Sequence, residues 1–337
     1  MAGTSMTSQR RLRIVIPGGA GHLGTILARA LERDRHEVVV LSRAPRTGPW
    51  KTVLWDGETP GDWVSVLEGA DVVINLAGRS VNCRYGPANR VAIMESRVKS
   101  TRVLGEAIAG AKSPPRVWLQ ASTATIYAHR YDAPNDEATG TLGGAEPGAP
   151  ATWRFSLDVA MSWERALDEA SVPRTRKVKL RTAILMSPEG GGAFDLLLRL
   201  VQLGLGGRAG DGRQYVSWIH HEDFVRAVFW LIDHEGVEGP INVAAPTPLP
   251  NADFMRALRE AWGRSLGLPA TKWMLEAAAF FLRTETELIL KSRRAVPGRL
   301  LGEGFAFRFP TWPEAARDLC ERWREQRTSA RLRGRTA

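Results

Sequence analysis

Apolar positions along this chain recur with two periods, and the alternation between them predicts the fold. Residues 12–16 (LRIVI) are a short β-branched run leading into Pro17, Gly18, Gly19, Ala20 and Gly21. A buried strand followed by a glycine-rich turn is the reading. Leu23, Leu27, Ala30 and Leu31 then recur at helical spacing, so a helix follows the glycines. Further strands are expected at 37–41 (EVVVL), 53–55 (VLW), 71–76 (DVVINL), 116–120 (RVWLQ) and 178–185 (VKLRTAIL). Pro87 opens a long helix through Ala109, with Val91, Met94, Val98 and Ile108 as core contacts and Gly110 as its stop. Phe155, Val159, Trp163 and Leu167 repeat every four residues and predict another helix, over 155–170. Residues 129–151 collect glycine and proline instead, a long loop of the kind that is usually functional or mobile.

Strands that are almost continuously apolar, alternating with helices, mean a parallel sheet covered on both faces. After residue 185 the alternation loosens. Short strands at 215–219 and 241–244 mix with helices at 223–233, 251–262 and 313–324. The stretch 273–282 is apolar but interrupted by Glu276, and reads as a buried or half-buried helix. The predicted fold class is α/β. A doubly wound parallel sheet covers 12–185, with 213–244 contributing, and a smaller α+β region covers 186–324. Residues 1–11 and 325–337 are two basic tails, expected to be disordered.

Composition narrows the class. At 337 residues and 44% hydrophobic, the chain can build a large core and is not disordered as a whole. No apolar run approaches the ~20 residues of a membrane span, and no apolar leader precedes Ile14. Two cysteines, Cys83 and Cys320, supply neither a disulfide framework nor a closed zinc site, which makes the cytoplasm the default compartment. The net charge of +10 points first to nucleic acid, but its distribution argues otherwise. Arg10, Arg11 and Arg13, and the seven arginines against three acids after residue 315, hold most of the excess. Solvated basic ends are the simpler reading, and no nucleic-acid or membrane partner is expected.

Gly18, Gly21 and Gly24 make G-x-x-G-x-x-G between a strand and a helix, with His22 and Leu23 in the same turn. Glycines there allow a tight turn, let the backbone approach a pyrophosphate, and let the helix pack close on the sheet. Free amides at the helix N-terminus face the anion. The second strand ends Leu41, Ser42, Arg43, without the Asp or Glu that would bind a ribose 2′-hydroxyl. A guanidinium beside a hydroxyl suits a 2′-phosphate, so NADP(H) is expected in preference to NAD(H). Leu76, Ala77 and Gly78 close the fourth strand as a small-residue turn on which an adenosine and ribose could lie.

These residues resemble the extended short-chain dehydrogenase/reductase superfamily. More narrowly, the chain resembles its atypical branch of NAD(P)-dependent epimerase/dehydratase proteins, often labelled nucleoside-diphosphate-sugar epimerases. The match is carried by the 18–24 turn, 73–78 (VINLAG), 95–101 (ESRVKST) and 203–220 (LGLGGRAGDGRQYVSWIH). Residues 242–251 (NVAAPTPLPN) and 304–310 (GFAFRFP) fit as well. The resemblance implies a Rossmann domain of the extended type, with Arg97, Ala121 and Ser122 among the cofactor contacts. It also implies a homodimer with helices 87–109 and 155–170 as faces.

The superfamily's chemistry uses a Ser or Thr, a Tyr, and a Lys four residues after the Tyr. On a helix, i and i+4 share a face, so the ammonium can lower the phenol pKa. None of the four tyrosines has that lysine, and no lysine falls between Lys112 and Lys177. Matching the family's downstream glutamate to Glu164 puts Ser156 at the Tyr position and Ala160 at the Lys position; the resemblance implies that such a loss is typical of this branch. The Ser/Thr position is Thr123, with Ser122 as the alternative by one residue, and Tyr127 is expected at the mouth of the site as a substitute acid or as lining.

Arg213, Gln214, Ser217 and Trp218 are the candidate substrate contacts, for an anionic or polyhydroxylated ligand and an apolar face. His220 is read as structural and Asp223 as a helix cap or first-turn acid. His220, His221 and Glu222 are consecutive and point different ways, so no metal site is expected. The resulting expectation is an NADP(H)-binding protein, an oxidoreductase or epimerase on a small polar substrate. The alternative, motivated by the missing pair, is a non-catalytic NADP(H)-binding sensor or regulatory protein.

Overall fold

The apolar runs become the strands of a seven-stranded, all-parallel sheet in a computed structural model that describes residues 10–144, 146, 150–271 and 287–333. The first half is β1 (Arg13–Pro17), α1 (His22–Arg33), β2 (Glu37–Ser42), β3 (Lys51–Leu54), β4 (Val72–Asn75), α2 (Pro87–Gly110), β5 (Val117–Thr123), α3 (Ala151–Asp168) and β6 (Arg176–Thr182). Then come β7 (Ile184–Met186), α4 (Ala193–Gln202), β8 (Tyr215–Val216), β9 (Trp218–His220), α5 (His221–Asp233), β10 (Gly239–Val243), β11 (Leu249–Pro250) and α6 (Asn251–Trp262). Beyond residue 286 the elements are α7 (Glu287–Leu290), α8 (Gly298–Gly302) and α9 (Trp312–Arg333).

The strand order is β10-β6-β5-β4-β1-β2-β3. It reverses between β1 and β4, and in sheets of this type ligands sit outside the carboxyl ends of the strands at that reversal. Pro17 is tolerated because it is the last residue of β1, where its carbonyl still accepts from the Leu76 amide at 2.8 Å. One face of the sheet packs Ile14, Ile16, Val38, Val40 and Val72 against α1 and α5. The other packs Val15, Val39, Val73 and Trp118 against Leu104 and Ile108 of α2. A separate core joins α4, α6 and α9 around Phe254, Trp218 and Trp312.

Three expectations change, the first being that Val91 of α2, expected in the core, is exposed. The run 178–185 is not one strand: β6 stays in the central sheet, while β7 leaves it to pair with β9. Residues 325–333 are not a disordered tail; they continue α9. Trp323 is buried and donates to Asp195 Oδ1 at 3.2 Å, and Arg327 covers its ring at 4.0 Å, so the helix is anchored beyond residue 324. The expected helix over 273–282 and the tail residues 1–9 and 334–337 lie outside the described residues.

Candidate functional site

The glycine turn is built so tightly that two of its positions admit no side chain. Gly18 has φ +76°, and a Cβ there would stand 2.7 Å from the backbone of Leu76 and Ala77. A Cβ on Gly24 would stand 2.5 Å from Gly19 Cα, so α1 touches the turn backbone to backbone. Gly21 is different: it caps α1 with an ordinary φ of −75°, no side-chain cap, and no neighbour closer than 3.4 Å to a Cβ. The first-turn amides of α1 are thus left without a side-chain cap, as an anion site requires. Leu23 is half-buried against the core, and His22, exposed, holds Ser187 Oγ at 3.0 Å.

At the end of β2, Ser42 is buried and accepts a long hydrogen bond from the Ala44 amide at 3.4 Å, while Arg43 is exposed. Across the strand reversal, Asn75 fixes the exit of β4: its Oδ1 accepts from the Ala77 amide at 3.1 Å and its Nδ2 donates to Gln120 Oε1 at 3.0 Å. Leu76 and Ala77 press on Gly18, and Gly78 lies under the Arg97 guanidinium, whose Cζ is 3.1 Å from where a Cβ would be. Arg97 donates to the carbonyls of Arg79 and Ile93, each at 3.0 Å, and lies 5.0 Å over the Trp163 ring. Burial lowers its pKa to about 10, and no carboxylate among the described residues pairs with it. Arg97 is thus a half-buried cation over Gly78.

Thr123 ends β5 half-buried, and its Oγ1 accepts from the Thr125 amide at 3.1 Å, capping a 3-10 turn. Its hydroxyl proton is still available to an acceptor. Ala121 is half-buried, its carbonyl taking Gln120 Nε2 at 3.3 Å. Ser122 is buried and gives its hydroxyl to Glu164 Oε1 at 2.6 Å, so only its backbone is free for a cofactor. Ser156 and Ala160 lie on α3 as expected, Ala160 fully buried.

Tyr127 corrects the expectation of a tyrosine at the mouth of the site. Its ring is buried, and its hydroxyl donates to Asn242 Oδ1 at 2.9 Å and accepts from Arg181 Nη1 at 3.0 Å. Burial raises its pKa despite the Arg181 charge and hydrogen bonds. Arg181 grips Glu164 with two hydrogen bonds of 2.8 Å; burial disfavours its charge, but Glu164 outweighs this and raises its pKa. Tyr127, Arg181, Glu164 and Ser122 therefore form a closed polar strut joining β5, α3 and β6, and the phenol has no spare role as an acid.

Three of the four substrate candidates are also structural. Gln214 is buried and donates to Ala209 O at 2.9 Å. Ser217 is buried and donates to Arg293 O at 2.6 Å. Trp218 is fully buried, edge-on to Trp312 with centroids 5.1 Å apart. These side chains hold the second region together and present nothing to a ligand. Arg213 alone is exposed, 5.6 Å over the Tyr131 ring. His220 caps α5 through Nδ1, which accepts from the Glu222 amide at 3.2 Å, and its Nε2 meets Asp318 at 3.1 Å. Burial pushes its pKa down to about 2. Asp223 is a first-turn acid that takes the Arg308 and Phe309 amides at 2.8 Å each.

The sequence reading missed one group. Lys291 and Arg293 come from the segment after α7 and land on the turn that follows β5. Lys291 Nζ donates to Thr125 O at 2.9 Å, and Arg293 Nε donates to Thr125 Oγ1 at 3.0 Å. Glu287 Oε2 accepts from Ser156 Oγ of α3 at 2.6 Å. The run KSRR was the available signal, but nothing local said that it folds back 166 residues to Thr125. A cavity of about 340 Å³ lined by His36, Arg116, Phe229 and Asp233 lies at the amino-terminal ends of the strands, away from all of these groups.

Comparison with known proteins agrees with this geometry. The NAD dependent epimerase/dehydratase family matches residues 14–151, and a domain of unknown function, DUF1731, matches residues 270–319. Epimerase family protein SDR39U1 from Bos taurus is 32% identical over 314 residues, spanning 91% of this chain and 99% of the relative. Epimerase family protein YfhF from Bacillus subtilis is 31% identical, spanning 88% and 94%. The crystal structure of human epimerase family protein SDR39U1 with NADPH superposes with a TM-score of 0.79 at 28% identity, covering 92% of this chain and 99% of that one. With near-full-length likeness on both sequence and fold, the chain belongs to the NAD-dependent epimerase/dehydratase family, as an SDR39U1-like member.

Proposed function

We propose that this chain binds NADP(H) in preference to NAD(H), as an atypical short-chain dehydrogenase/reductase that serves as an oxidoreductase or epimerase on a small polar substrate in the cytoplasm. The observation that carries the cofactor reading is the glycine turn, where Gly18 and Gly24 are closed by backbone contacts and Gly21 leaves the α1 amides without a side-chain cap. That shape fits a pyrophosphate. Arg43, exposed beside Ser42, would hold the 2′-phosphate, and Arg97 would lie against the cofactor's anionic side. The NADPH bound in the human relative's structure supports the same choice. When bound, the nicotinamide supplies hydride chemistry. Thr123 would donate its hydroxyl proton to a substrate oxygen, and Arg213 would meet a polar substrate from outside. The phenol–lysine pair is replaced by Ser156 and Ala160, neither of which holds a proton usefully at neutral pH.

The test is titration with NADPH, NADP, NADH and NAD, followed by tryptophan quenching and energy transfer to the reduced nicotinamide. Micromolar binding of the phosphorylated pair, weakened at least tenfold in Arg43→Ala, is the expected result. No binding of any of the four would overturn the cofactor reading, and equal binding of NADH and NADPH would remove the role of Arg43.

A further inference from the structure

Among the described residues Lys291 is one of the most deeply buried charged side chains, 1% exposed, and its ammonium meets the turn just past the carboxyl end of β5. An ammonium carries three N–H donors. Among the described residues Lys291 uses one, to Thr125 O at 2.9 Å, and no carboxylate pairs with it directly. Glu287 and Glu146 act on it only through their charge, and Arg293 opposes them. Burying a cation with donors uncommitted is costly unless a partner arrives. Arg293, itself buried, grips Thr125 Oγ1 beside it, so two cations flank one short turn.

The backbone around the pair is fixed. The Arg294 carbonyl takes the Asn135 amide at 2.7 Å, and the Asn135 carbonyl takes the Val296 amide at 3.0 Å. Ser217 Oγ donates to Arg293 O and accepts from the Ala295 amide at 2.8 Å, while His129 Nδ1 accepts from the Ser292 amide at 2.8 Å. The cations therefore do not owe their position to a flexible loop. Thr125 stands two residues beyond Thr123, and Glu287 ties the segment to Ser156. The two cations and Ser156, the position matched to the family's phenol, are thus held on one segment through Thr125 and Glu287.

We propose that Lys291 and Arg293 form an oxyanion subsite over the end of β5, and that the substrate carries a carboxylate or phosphate group that binds there. This deepens the proposed function and rests on the cofactor cleft lying beside it. The subsite orients the substrate by its charge, which offsets the lost phenol–lysine pair in positioning. Burial and the neighbouring Arg293 bring the Lys291 ammonium down to about 8, so it can also hold or release a proton near neutral pH.

The experiment uses the full chain saturated with NADPH, which occupies the glycine turn. Inorganic phosphate and malonate are titrated separately by calorimetry at constant ionic strength. We expect one of them to bind with millimolar affinity or better, and Lys291→Met and Arg293→Gln each to weaken it at least tenfold. NADPH affinity within twofold of the parent checks that the variants are folded. Preference for phosphate or for malonate identifies the source of the oxyanion. A second measurement needs no variant: acetylation of Lys291 in the parent protein, read by mass spectrometry, should slow at least threefold with the bound anion. The proposal is overturned when neither anion binds the NADPH complex, or when binding is the same in both variants and Lys291 is not protected. Should NADPH itself fail to bind, the same titrations on the free chain decide the subsite separately, since only the two variants distinguish it from the glycine turn.

Discussion

Replacing the last glycine of the turn with alanine tests the cofactor cradle at its tightest point. In Gly24→Ala the new Cβ falls 2.5 Å from Gly19 Cα and 2.7 Å from Gly19 C and O. Ordinary contact begins near 3.4 Å, so α1 must retreat from the turn by roughly 1 Å, because the obstacle is backbone and cannot rotate away. Overpacking of this kind costs about 1–3 kcal/mol of stability. The same retreat carries an amide hydrogen bond of about 2.9 Å out to about 3.9 Å, where it no longer counts as one. Each such bond to a charged group contributes about 1.5–3 kcal/mol, so losing one weakens NADPH roughly 10- to 100-fold. Gly21→Ala separates the two effects. Its φ is −75° and its nearest obstacle is 3.4 Å away, so stability should stay within about 0.5 kcal/mol. The added methyl still crowds the exposed surface that a pyrophosphate must approach, so affinity should fall at least tenfold. Urea unfolding and energy transfer to NADPH read the two quantities independently. The cradle would be refuted by NADPH affinity unchanged within threefold in both variants.

Glu164→Gln leaves Arg181 buried without its carboxylate, and breaking a buried pair in this way should cost about 3–5 kcal/mol; a loss under 1 kcal/mol in urea unfolding would show that the strut is dispensable. Burial lowers the pKa of His36, His129, His220 and His221, so below pH 6.5 the unfolded chain takes up protons that the folded one refuses, and stability falls as the pH drops. His220→Gln should flatten that slope by one proton, about 1.4 kcal/mol per pH unit between roughly pH 4 and 6, and an unchanged slope counts against the neutral cap. Lys291 has the same sign in a more alkaline window. Its folded pKa of about 8 lies below its unfolded value, so the penalty for its charge is complete below pH 8 and is relieved as the pH rises to about 10.4. Lys291→Met should therefore gain most relative to the parent at pH 7 and lose about 3 kcal/mol of that advantage by pH 10.5; a pH-independent difference would mean that the ammonium is hydrated.

The parallel sheet was legible because its strands are buried on both faces and read as runs, such as EVVVL and DVVINL, that no surface helix would carry. The glycine turn was legible because its function depends on local backbone. Side-chain roles fared less well, for one physical reason. Tyr127, Gln214, Ser217 and Trp218 are the residue types that recognise ligands, and they are equally the types that join two regions of a protein internally. Tyr127 is consumed by Asn242 and Arg181, partners 115 and 54 residues away. Only the fold shows which acceptors they meet. The same distance hid Lys291 and Arg293: a basic run beside Ser292 reads as solvated until Thr125 is placed beneath it.

Strand β10 has a consequence for how the chain is made. It pairs with β6 along Val178–Thr182 as the outermost strand of the sheet, yet α4, α5 and a second core intervene in the chain. During vectorial synthesis the β6 edge is thus bare until residue 243 has left the ribosome, and Thr125 is uncovered until residue 293 has. From the end of β6 at Thr182 to the end of β10 at Val243 the edge waits for about 60 residues, roughly 3–12 s at ordinary elongation rates. An unpaired strand edge is a template for mispairing, so a nascent chain arrested before Gly239 should be captured by holdase chaperones and cut readily by protease. Arrest well past residue 295 should abolish both. Equal protease resistance at the two arrest points would mean that the first six strands close without their seventh.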